Sequence, residues 1–334
     1  MTAPAAPGPV GGAATGSIYD LGYRGYDGPR SGRPVVVRAL LRQSLQEAYG
    51  IGRGGRAKVA PFLLLIFNAV PAMLAVGISA FLNQAGGSEV LEQGIPIRHD
   101  TYWSLTSTFV MLFCAAQAPE LFGRDQRYGV LPLYFSRVLT RVDYALARVG
   151  GLFIAIFIVA LLPHLILTIG AVLGAPDPVA GLQEELPEIP SYLAMTLIGS
   201  AVFAGVSSVV ASYTPRRAYA VAGIIALFIV PPIVIGIIAA LSVPDIAKVL
   251  LLASPSDVVD GVNGAIYGPL RIGSETFQIA TLPGWVYVVT ALAYVAGSLA
   301  IVLRRYLTVT AVRSTNQLWG WTKPFTFGER ARGF

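Results

Sequence analysis

The stretch Val59-Ala-Pro-Phe-Leu-Leu-Leu-Ile-Phe-Asn-Ala-Val-Pro-Ala-Met-Leu-Ala-Val-Gly-Ile-Ser-Ala-Phe-Leu82 carries no charged residue. A helix needs roughly 20 apolar residues to cross a hydrocarbon core about 30 Å thick, and this run supplies them. Five segments of similar character follow, at residues 101–122, 150–173, 191–213, 218–241 and 284–303. The chain as a whole is 54% hydrophobic and 13% charged, whereas soluble globular chains are near a quarter charged. The pattern predicts an all-α integral membrane protein with six transmembrane helices in residues 59–303.

The charges orient it. Of the 24 Lys and Arg residues, 21 fall in residues 1–58, 123–149, 214–219 and the C-terminal tail; Arg98, Lys248 and Arg271 alone lie on the other side. The carboxylates lean the opposite way, 11 of 18 lying on the side poor in cations. By the positive-inside tendency both termini are cytoplasmic. Cytoplasmic loops facing anionic lipid account for the net charge of +6, so no nucleic-acid partner is implied. The lone Cys114 excludes an intrachain disulfide.

Residues 1–17, rich in Ala, Pro and Gly, read as a disordered cytoplasmic tail. A cytoplasmic segment, 18–58, follows. Its Tyr-Arg-Gly-Tyr-Asp-Gly-Pro-Arg stretch is too aromatic for a free linker, which suggests that it docks. Residues 34–49 are amphipathic at helical period. Val36, Val37, Leu40, Leu41, Leu45 and Ala48 share one face; Arg38, Arg42, Gln43, Gln46 and Glu47 share the other. That is too polar to span and fits a helix lying in the cytoplasmic interface. The tail 304–334 contains Trp319, Trp321, Phe325 and Phe327, whose role stays open.

Within the spans, Tyr102, Trp103, Tyr192, Trp285 and Tyr287 sit at outer ends, as interfacial anchors do. Ser200, Ala204 and Ser208 form a small-residue stripe, as do Ala201 and Gly205; the partner is another span or a second subunit. Pro231 and Pro232 interrupt the fifth span and predict a kink or a hinge. The outer loop 242–283 is too apolar for a free loop and too short for two spans. Short membrane-dipping helices before the last span reconcile the two facts.

Several chemistries have no sequence basis. There is no phosphate loop and no Cys/His pattern with zinc spacing. The two histidines, His99 and His164, lie on different elements. His164 is the one ionisable group deep in a span, about 24 Å beyond Arg148 at 1.5 Å per residue. It reads as a histidine bonding a neighbouring helix, with a proton relay as the alternative. Coupled carriers place carboxylates at mid-membrane; here the energy source is expected outside the chain.

The loop 123–149 is the most specific segment. Glu120 ends the second span, Arg124 and Arg127 follow, and Gly129 precedes the apolar Leu131, Leu133, Tyr134 and Phe135. Arg137 and Arg141 come next. An apolar knob ringed by arginines suits docking into a cleft of a soluble partner. This segment resembles the coupling region of ABC transporter permeases of the type-2 exporter family. The resemblance is carried by Glu120, Arg124, Gly129, Leu131, Ser136 and Arg137, by the helix before the first span, and by the apolar outer loop before the last. The opening tyrosine-rich stretch is similar to that of actinobacterial members.

The resemblance implies a non-catalytic membrane subunit in a bacterial plasma membrane. Two ABC ATPase subunits, carrying ATP and Mg, would dock on the coupling loop and on the helix bearing Arg38, Leu41, Arg42 and Leu45. A second permease chain, identical or homologous, would complete the path, lined by the second and fifth spans. The expected cargo is lipidic, amphiphilic or drug-like, with no cofactor on this chain. An ion-driven secondary transporter and a non-transporting scaffold are the alternatives.

Overall fold

The computed structural model describes residues 28, 32–85, 97–135, 139–241, 244–268 and 282–308. The expectations for the tail 1–17, for the tyrosines of the next segment, for Ser136 and Arg137, and for the aromatic residues after 308 lie outside the described residues. In chain order the helices are α1 (Arg33–Ala48), α2 (Gly55–Gln84), α3 (His99–Arg127), α4 (Leu131–Phe135), α5 (Arg141–Gly174) and α6 (Pro178–Glu185). They continue with α7 (Glu188–Tyr213), α8 (Arg217–Ala240), α9 (Pro244–Leu251), α10 (Pro255–Tyr267) and α11 (Gly284–Thr308). No strand occurs among the described residues. Six helices, α2, α3, α5, α7, α8 and α11, are long and apolar enough to cross a membrane.

The loop expected over 123–149 is mostly helix among its described residues. α3 continues past Phe122 to Arg127, and α5 begins at Arg141. Local signals set both ends. Gly129 takes φ +66; its N–H donates to Gln126 O and that of Val130 to Asp125 O, the paired bonds of a Schellman stop. A Thr140–Asp143 capping box starts α5. Only a short link holding α4 remains between the two long helices.

α3 and α7 are the most buried spans, while α8 and α11 are the least. The small-residue stripe is used inside the chain. Ser200, Ala204 and Ser208 are buried in the bundle, and Gly205 backs directly onto Ser298 of α11. Four expected anchors also face inward: Tyr102, Trp103, Tyr192 and Tyr287 are buried, and Trp285 stays exposed. Each ring has a partner that a lipid interface would not supply. Trp103 meets Phe203 edge-on at 5.5 Å, and Tyr192 stacks on both histidines.

α8 is helical through Pro231 and Pro232. A proline in a helix leaves the carbonyl four residues earlier without its usual donor. For Pro232 that carbonyl is Phe228 O, and Ser256 Oγ of α10 donates to it at 2.8 Å. Pro163 of α5 frees Val159 O in the same way, and Asn68 Nδ2 of α2 donates to it at 2.7 Å. Neighbouring helices thus re-satisfy backbone that water cannot reach.

The segment after α8 folds back along the bundle. Ser256 meets Phe228 about 18 Å short of the end of α8, taking 1.5 Å per residue. Leu251 of α9 packs with Ile235 of α8. At the far end of α10, Asn263 donates to Asp100 O at the start of α3. α9 therefore runs back along α8 toward its middle, and α10 returns toward the start of α3.

Candidate functional site

The end of the bundle that carries α1 and α4 is assembled around one arginine. Arg148 lies in the second turn of α5 among Leu146, Ala147 and Val149, and it is 0% exposed. A buried guanidinium demands anionic partners. Nη1 donates to Glu47 Oε2 of α1 at 2.6 Å, and Nη2 donates to Asp125 Oδ2 of α3. Tyr144, one turn earlier, donates its hydroxyl to the same Asp125 oxygen at 2.7 Å. Its ring packs against Arg148, Tyr134, Phe135 and Tyr306.

Glu120 is the second node. Its two oxygens pair with Arg53 in the α1–α2 turn and with Arg217 at the start of α8, both at 2.8 Å. Gln126, six residues on, donates to Ser212 O of α7 and to the hydroxyl of Tyr306 on α11. The last two turns of α3 therefore bond to the α1–α2 turn, α5, α7, α8 and α11, and through Arg148 to α1. Movement of this end would be felt in every one of them.

α1 seals the assembly. Leu40, Ser44 and Ala48 are buried, with Leu41 and Leu45 half-buried against α5. Contact is closest at Gly151, where a Cβ would stand 2.4 Å from that of Ser44. Arg33 clamps the other end of α1 to Asp143 with two bonds of 2.8 and 2.9 Å; these hydrogen bonds, with the carboxylate charge, raise the guanidinium pKa. Arg38 and Arg42 remain on the exposed face.

α4 hangs below this layer. Leu131 is buried, while Tyr134 and Phe135 turn back onto Tyr144. Burial, the largest influence, pushes the Tyr134 phenol upward and keeps it neutral. Leu133 projects outward, 68% exposed. It borders a cleft of about 680 Å³ lined also by Gln46, Glu47, Arg53, Arg124 and Tyr128. Arg124 and Arg127, exposed at the end of α3, line a second hollow of about 240 Å³ with Glu120 and Arg217.

A comparison with known proteins finds no family model that matches the sequence and no characterised relative at significant similarity. The arrangement must therefore be read from its own geometry. The structure brings together Glu120, Arg124, Arg127, Gly129, Leu131, Leu133, Tyr134 and Phe135, with α1 alongside. Pro231 and Pro232 lie apart, halfway along α8. Glu47, Arg53, Asp125, Tyr144, Arg148 and Arg217 were missed as site residues. A signal existed for Arg148, because a cation inside an apolar run needs a buried anion. Its partners, 101 and 23 residues away, carried no mark.

The opposite end of the bundle holds a second polar cluster. His164 Nδ1 meets His99 Nδ1 of α3 at 2.8 Å, and His99 Nε2 meets Glu185 at the end of α6 at 3.2 Å. Tyr192 of α7 stacks on both rings. His164 thus bonds a neighbouring helix, as its position predicted. The cluster borders a hollow of about 410 Å³ together with Glu184 and Glu188. No group of three ligands suited to a metal occurs among the described residues.

Proposed function

We propose that this chain is the permease subunit of an ATP-driven exporter, coupled to separate ATPase subunits through α4. One observation carries the reading. A short helix with an exposed leucine hangs from the junction of two long helices whose ends are ion-paired to the rest of the bundle. An ATPase gripping α4 would pull on Asp125 and Tyr144, hence on Arg148 and α1, and through Glu120 on α8. Such a lever needs a rigid load path, which closed and buried ion pairs provide.

Two such chains, identical or homologous, would enclose the path. In support, α8 keeps Val230, Ile233 and Ile237 exposed, and α3 keeps Ser104, Leu105 and Thr108 exposed in its outer half. Surfaces of that kind suit a second subunit, lipid and an amphiphilic cargo. ATP and Mg would bind the partner ATPases. The natural setting is a bacterial plasma membrane, with both termini cytoplasmic and the α9–α10 hairpin dipping in from outside.

Ion-driven transport has one observation in its favour, the His164–His99–Glu185 chain. That chain stops in the outer half. Among the described residues no ionisable side chain continues it inward along α5 before Arg148. Gentle purification of the full chain from its own membranes separates the readings. The exporter predicts a stoichiometric soluble partner with a phosphate loop and ATP hydrolysis by the complex. Uptake into liposomes on an ion gradient, with no such partner, would sink it.

A further inference from the structure

The hollow where the end of α3 meets the start of α8 carries more positive charge than the chain itself answers. It encloses about 240 Å³, and its lining includes Arg124, Arg127, Arg217, Tyr128 and Pro215, with Glu120 as its one carboxylate. Both Glu120 oxygens are already taken, by Arg53 and by Arg217, each at 2.8 Å. Arg124 and Arg127 are exposed and enter no ion pair among the described residues. Arg127 lies over the Tyr128 ring at 6.0 Å. Gly123 of α3 backs onto the turn before α8, where a Cβ would stand 3.6 Å from the carbonyl oxygens of Thr214 and Pro215. α8 starts at Arg217, so the N-terminal end of its dipole adds to the positive side.

The hollow continues into the spans. Leu112 and Ala116 precede Glu120 on α3 at four-residue steps, and Val221 and Ile225 follow Arg217 on α8 at the same spacing. Residues four apart stack on one face of a helix. All four are half-buried, and α3 packs against α8. Because Glu120 and Arg217 touch, an apolar furrow climbs from the hollow between these two helices.

We propose that the hollow holds the phosphate of an anionic glycerophospholipid, with one acyl chain of that lipid in the furrow. Guanidinium groups present paired donors that match phosphate oxygens, and basic pockets between spans hold lipid headgroups in this way. The furrow favours a lipid over a soluble anion. A free phosphate, or an acidic side chain of a soluble partner, would use the arginines and leave Leu112 and Val221 uncovered. The hollow also lies off α4. Leu133 lines the larger cleft and not this one, although Arg124 and Tyr128 border both. Retention of lipid needs neither ATP nor a partner, so the site stands apart from the exporter reading.

The full chain, with whatever partners co-purify, is extracted in neutral detergent. It is then mixed with equal amounts of phosphatidylglycerol and phosphatidylcholine of identical acyl chains. Native mass spectrometry reads the lipid retained. One phosphatidylglycerol per chain is expected ahead of phosphatidylcholine, and glycerol 3-phosphate at the same concentration should not displace it. Arg124→Gln combined with Arg127→Gln should weaken retention by about tenfold or more, since each arginine near anionic lipid contributes roughly a factor of five. Arg304→Gln removes an exposed charge near the end of α11 and should leave retention unchanged. Ala116→Trp fills the furrow, keeps every charge and should lower retention. Equal retention of the two lipids overturns the proposal, as does retention unchanged in the double arginine variant or in Ala116→Trp. An equal loss in Arg304→Gln, or displacement by glycerol 3-phosphate, overturns it too. Loss of a co-purifying protein from the double variant, with its lipid retained, gives the arginines to that partner and also overturns it. Should the double variant misfold, Arg127→Gln alone decides.

Discussion

The two ends of the bundle handle charge in opposite ways. At the end that carries α1 and α4, Arg148 is enclosed by Glu47 and Asp125, and Glu120 by Arg53 and Arg217. Each of these charges has its counter-charge inside the chain. At the opposite end, Asp257 and Asp260 have none among the described residues, and His99 leans on Glu185 at 3.2 Å. Ion pairs closed within a chain fix distances between helices; carboxyls without a counter-charge do not. The first end is thus tied together by its charges, and the second is held by apolar packing and hydrogen bonds.

The severest break in that contrast is Arg148→Met. It leaves Glu47 and Asp125 facing each other without their cation, and orphaning a buried charge costs about 3–5 kcal/mol. A marked fall in thermal stability in nanodiscs is expected, with α1 becoming accessible to protease. Asp125→Asn added to Arg148→Met should restore part of the loss, because one of the orphaned charges is gone. Equal stability of the single and double variants would show that the pair is not the organising contact. The corresponding outer change, Asp260→Asn, removes a burial penalty and should not destabilise.

Next in size are the side chains that cover proline-freed carbonyls. Asn68→Ala exposes Val159 O, and Ser256→Ala exposes Phe228 O; each leaves a buried acceptor bare, at about 1–3 kcal/mol. Pro232→Ala returns an N–H to Phe228 O, so the Ser256→Ala loss should shrink sharply in the Pro232→Ala background. The same cycle with Pro163→Ala should protect Asn68→Ala. Thermal denaturation of the four members of each cycle reads the coupling. Additive losses would mean that these hydroxyl and amide groups act elsewhere.

These contacts mark where sequence reading stops. Apolar length and one-sided arginines were enough for the six spans, because both follow from bilayer thickness and surface charge. The segment from Glu120 to Phe135 stood out in the sequence as arginines around an apolar knob, and the structure brings these residues together at one end of the bundle. What stayed hidden were pairings between distant residues. Asn68 looks like an isolated polar residue in an apolar run until Pro163 is seen beside it. His99 and His164 are 65 positions apart, and only the packing of α3 on α5 makes them neighbours. The inward turn of Tyr102, Trp103 and Tyr192 had the same cause: a local rule placed them at a lipid interface, and tertiary partners outbid it.

The smallest effect on stability should have the largest consequence for function. Leu133→Asp changes an exposed side chain, and surface substitutions usually stay within about 0.5 kcal/mol. Leu131→Asp, two residues earlier, buries a charge in the core and should behave like a folding defect. The two leucines therefore separate docking from folding within one turn of helix. Phe135→Asp cannot serve, because that ring packs on Tyr144 and its loss would disturb the Asp125–Arg148 layer. If α4 is the contact with an ATPase, Leu133→Asp leaves the melting temperature and the detergent elution profile unchanged. It abolishes partner retention and ATP hydrolysis by the purified complex. Wild-type retention and turnover in Leu133→Asp would falsify the docking assignment and move the contact elsewhere, with the exposed arginines of α1, Arg38 and Arg42, the next residues to change.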